Sequence, residues 1–146
     1  MSDVSVLSHE YKATSGLSQD INSALIVLKK VRLDLPGACE ISPEQVESSR
    51  SCLVEILTAL ERLLTPARAS QVDGATAARV PGALVARVQA ERRGDLAYYL
   101  EDLRRAAAHL RDSVSAVTEA DFALLDGLAL AVDAETSRVF RRLMRR

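Results

Sequence analysis

Leu17, Ile21, Ala24, Leu28, Val31 and Leu35 recur at alternating steps of four and three residues, and Pro36-Gly37 follows at once. That spacing places all six on one stripe of an α-helix and rules out the strict alternation of a half-buried strand. Upstream, Val4, Leu7, Tyr11 and Thr14 keep the same rhythm and join the later stripe through a three-residue step beside Gly16. The helix therefore either starts near Asp3 or breaks at Gly16, and it is expected to stop at Pro36.

Ser42 at an N-cap, Pro43 at the first helical position and Gln45 three residues after the cap announce a second helix, with Ile41 and Val46 spaced as a hydrophobic staple. Its buried stripe is Val46, Leu53, Leu57, Leu60 and Leu64, and Pro66 disfavours helical geometry at Thr65. A short loop between two such helices makes an antiparallel hairpin. Residues 65–80, with Pro66, Asp73, Gly74 and many small side chains, read as the main linker, with or without a short helical turn. A third helix is expected from Pro81, its stripe running from Leu84 and Val88 to Leu110 and Val117, with a kink or break at Gly94. Thr118 with Asp121, and Val117 with Phe122, signal a sharp turn into a fourth helix lined by Phe122, Leu125, Ala129, Val132, Val139 and Leu143. The fold class is all-α. Two antiparallel hairpins, 1–64 and 81–146, are joined by 65–80 as one compact four-helix bundle, closed within the chain or completed by dimerisation.

Composition narrows the function. With 27% charged residues and a formal net charge of −1, no global field selects nucleic acid, membrane or an acidic substrate. No apolar run approaches the roughly 18 residues of a membrane span, and the N-terminus carries no charged lead with an apolar core; a cytoplasmic setting is expected. Cys39 and Cys52 form no CxxC pair and read as reduced thiols. A di-iron bundle needs Glu-x-x-His pairs, and neither His9 nor His109 has a Glu three residues before it. No phosphate-binding glycine loop or nucleophile triad is spelled out, so no cofactor, metal or enzymatic activity is expected.

The segment Gly16-Leu17-Ser18-Gln19-Asp20-Ile21-Asn22-Ser23-Ala24-Leu25-Ile26-Val27-Leu28 resembles the phosphoacceptor segment of bacterial sensor histidine kinases, whose pattern is roughly G-[LV]-[AS]-H-[DE]-[IF]-N-N-x-L-x-V-[IL]. The resemblance implies a helical hairpin that dimerises into a four-helix bundle with its reactive residue facing out. Gln19 stands where the family has its phosphoaccepting histidine, and an amide nitrogen is not a nucleophile. Asp20 matches the acid that assists proton removal, Asn22 matches the pattern, and Ser23 falls where the family often positions a hydrolytic water. The second half lacks the glycine-rich boxes of the family's ATP-binding domain. The resemblance thus implies a non-catalytic adaptor that binds a response regulator or a kinase, with a homodimer as one form.

Other candidates are plainer. His9 and His109 read as solvent-exposed helical histidines, and a histidine phosphotransfer protein using either is the weakest alternative. Arg138, Arg141, Arg142, Arg145 and Arg146 crowd the last turns of the fourth helix, where cations are favourable against the helix dipole. The sharper alternative is a basic patch on a structural or assembly subunit that contacts nucleic acid, a partner less favoured than protein.

Overall fold

The computed structural model describes residues 2–145, and among them there is helix and no strand. The α-helices are α1 (Ser2–Arg32), α2 (Pro43–Leu64), α3 (Gly74–Arg79), α4 (Gly82–Glu91), α5 (Leu96–Asp112) and α6 (Glu119–Met144). Three short 3-10 turns, Ala38–Glu40, Pro66–Gln71 and Val114–Ala116, punctuate the connections.

α1 runs through Gly16 without a break, and Thr14 and Leu17 on either side of it are both buried. Thr14 satisfies its hydroxyl inside the helix by donating to the Glu10 carbonyl at 3.0 Å. At the other end the helix stops at Arg32, earlier than Pro36 alone requires. Asp34 adopts φ 51° and Gly37 φ 90°, so the chain reverses there and Leu35, placed on the stripe by its spacing, ends up 41% exposed.

Both capping signals are realised. Ser42 Oγ accepts from the Gln45 amide at 3.2 Å while Gln45 Oε1 accepts from the Ser42 amide at 2.9 Å, and Thr118 with Asp121 does the same for α6. These contacts satisfy amides that a helix start leaves without partners.

α1, α2, α5 and α6 form the bundle. α1 packs along α6 and α2, α2 along α5, and α5 along α6, so neighbours run antiparallel and the core closes within one chain. Ile21, Leu28, Leu53, Leu57, Leu103, Leu110, Val117, Leu125 and Val132 are essentially inaccessible to solvent.

The segment expected to be a linker is largely structured. Asp73 caps α3 through the Thr76 amide at 2.7 Å, Val80 and Leu84 enter the core, and α3 lies against α1 and α2. Turns at 92–95 separate α4 from α5, so the third helix is two helices broken beside Gly94. α4 turns aside to cover α6.

Candidate functional site

Gln19 lies midway along α1, at a position the helical period turns away from Leu17 and Ile21, and it is exposed. Ser23, one turn on, is exposed as well, and Ile26 continues the outward stripe at 56% exposure. The pattern residues on either side are held in place. Asn22 Nδ2 donates to the Ser18 carbonyl at 2.9 Å, and Ser18 Oγ donates to the Asp133 carboxylate of α6. Asp20 Oδ2 accepts from Arg79 Nη2 of α3 at 2.8 Å, and the same guanidinium reaches Glu55 of α2 at 3.0 Å.

Arg79 therefore ties α1, α2 and α3 together beside Gln19, with its Nη2 3.8 Å from Cys52 Sγ. Burial pushes the Cys52 thiol up from its ordinary value, against the hydrogen bond from the nearby guanidinium. Asp20, free of any histidine to activate, is a bridge to α3. Arg79 lay in the segment expected to be a linker, and the outward ridge at Gln19 is flanked by fixed charges on both sides.

The two histidines part company. His9 is exposed, as expected. His109 is not the solvent-exposed residue its sequence context indicated: it is half-buried, with Nδ1 2.6 Å from Oδ2 of the fully buried Asp121. Burial pushes the Asp121 carboxyl up, but hydrogen bonds from the Thr118 amide and from His109 outweigh it, and the net shift is downward. An ionised carboxylate only accepts, so Nδ1 carries the proton of this bond. The pair brackets the α5–α6 turn. Because Asp121 is also the N3 residue of the α6 capping box, one carboxylate joins the end of α5 to the start of α6. The clue available in the sequence was the twelve-residue interval across an already recognised cap.

The C-terminal arginines do not act as one group. Arg138 turns onto its own helix and is hydrogen-bonded to Glu135, which is 1% exposed, with Glu10 of α1 3.6 Å away. The hydrogen bonds from Arg138 depress the Glu135 carboxyl, burial opposing them. Arg138 therefore links α6 to α1. Arg141, Arg142 and Arg145 are exposed, and Arg146 lies outside the described residues.

No cluster of three or more histidine, cysteine, aspartate or glutamate side chains able to hold a metal occurs among the described residues. No helix among them is long and apolar enough to cross a membrane. Comparison of the chain with protein-family models, with curated proteins and with solved structures finds no match.

Proposed function

We propose that the chain is a non-catalytic signalling adaptor, a pseudo-phosphoacceptor module that docks on a response regulator or a kinase through the α1 ridge centred on Gln19. The observation that carries this reading is the exposure of Gln19 on an antiparallel hairpin, at the position matching the family's phosphoaccepting histidine. An exposed amide there offers hydrogen bonds without nucleophilic attack, so it suits recognition of a phosphotransfer partner without entry into the phosphoryl pathway. Asp20, held by Arg79, and Ser18, held by Asp133, present a ridge of fixed shape, which lowers the ordering cost of binding.

The test is a titration against the receiver domains and histidine kinases of the organism of origin. One of them binds, Gln19→Arg weakens that binding at least about tenfold through lost fit at the ridge centre, and incubation with the phosphorylated partner leaves the adaptor unlabelled. Stable label on His9 or His109 would contradict a non-catalytic role.

A second reading, an assembly subunit, is favoured by the far end of α1 and α6. Val4, Val6, Phe140 and Met144 are exposed there beside Arg141, Arg142 and Arg145. Steeply salt-dependent binding of nucleic acid would support it.

A further inference from the structure

An open cavity of about 490 Å³ lies between α2, the turn Pro66–Gln71 and the start of α3, with Arg111 of α5 at its rim. Val54, Ala59 and Val72 give it an apolar wall; Glu55, Arg62, Asp73 and Arg111 supply charge. A smaller hollow between α2 and α5 shares Arg62 and Arg111 with it.

The charges around these hollows are matched except at two arginines. Arg68 and Arg104 both hold Glu61, at 2.7 and 2.6 Å, and Glu55 is held by Arg79 at 3.0 Å. Asp73 is occupied by the Thr76 amide. Arg62 and Arg111 have no carboxylate among the described residues. Arg111 reaches only the neutral Thr58 hydroxyl at 3.0 Å, and the buried Nε of Arg62 has no hydrogen-bond partner at all. A buried donor without a partner is rare in folded proteins, and it sets Arg62 apart from the paired arginines around it.

We propose that this cavity binds a small organic monocarboxylate, its carboxylate on Arg62 and Arg111 and its apolar body against Val54, Ala59 and Val72. A guanidinium fork matches a planar carboxylate in two parallel hydrogen bonds, and Arg62 and Arg111 both line the cavity with no carboxylate partner of their own. Arg62 and Arg111 share the lining with Asp73, capped by Thr76, and with Glu55, held by Arg79, so the site accommodates one added negative charge rather than a phosphate dianion, and its volume is in the range of small-molecule sites. The site lies apart from the Gln19 ridge, yet α3 and its cap contribute Thr76 and Asp73 to one and Arg79 to the other.

The test follows the Arg62 Nε–Hε resonance of nitrogen-labelled protein during titration with butyrate, hexanoate and inorganic phosphate. The expected result is a saturable shift, with affinity rising about fourfold per added methylene and phosphate weaker than hexanoate. Arg62→Met and the solvent-exposed Arg111→Met each weaken hexanoate binding about tenfold or more, while circular dichroism shows each variant folded. Absence of saturation up to concentrations on the order of 10 mM, phosphate binding tighter than hexanoate, or folded variants that bind as the parent does would overturn the assignment.

Discussion

Replacing Asp121 with alanine lowers the unfolding free energy by about 2–4 kcal/mol, the sum expected for a lost cap and a lost charge-assisted hydrogen bond at a buried site. Urea unfolding followed by circular dichroism at neutral pH measures it. One carboxylate accepts from the Thr118 amide at 2.9 Å and from His109 Nδ1 at 2.6 Å, and the Arg105 guanidinium approaches to 3.6 Å. Truncation strips the first turn of α6 of its box and leaves a half-buried imidazole N–H without an acceptor. Asp121→Asn keeps the shape and some acceptor capacity, so it costs less, and it separates charge from geometry.

The same residue sets an acid limb. The folded Asp121 carboxyl titrates below its unfolded value, as does Glu135, so their contribution is fully present above the unfolded carboxylate range. It is lost as pH falls from that range through the depressed folded values. Asp121→Asn therefore flattens the decline of stability at acid pH. An unchanged acid limb, with Asp121→Ala as stable as the parent, would show that the bracket between α5 and α6 contributes nothing.

Ile21→Ala costs about 2–5 kcal/mol, the range for emptying a close-packed aliphatic site, because Ile21 has no solvent exposure and faces the core beneath Gln19. Ile26→Ala, five residues on in the same helix but 56% exposed, stays within about 0.5 kcal/mol. The contrast tests the rotational setting of α1: only if Ile21 points inward does Gln19 point outward. Equal losses at the two positions, read from paired urea midpoints, would place the ridge elsewhere.

What the sequence made legible was what is local. Ser42-Pro43-Glu44-Gln45 and Thr118 with Asp121 carry their own partners within three residues, and both helix starts lie where those residues put them. The stripes of α2 and α6 were readable for the same reason. Pairings across long chain separations left no local trace. Nothing near Asp20 announces Arg79, 59 residues away, and nothing in the first hairpin says that α5 and α6 of the same chain complete its bundle. His109 was misjudged because its environment is made by the turn that follows it, not by its own helix. Leu35 was misjudged because periodicity carries no information on where a helix ends, and the φ of Asp34 ends it early.

Several features converge on α1. Its inner face is packed by α2 and α6, its flanks are fastened through Asp20 and Ser18, and its outer ridge carries Gln19, Ser23 and Ile26. A helix braced in this way changes little on binding, so its ridge can act as a rigid template for a partner surface.

The most direct measurement is site-specific photo-crosslinking in the native host, with a benzophenone amino acid at Gln19 and, as control, at exposed Tyr98 on α5. If the proposed docking role holds, Gln19 gives a covalent adduct with a receiver-domain protein or a histidine kinase, absent from the Tyr98 control, and the chain itself takes up no phosphoryl label. No adduct from Gln19, or adducts only with proteins outside phosphoryl signalling, would contradict it.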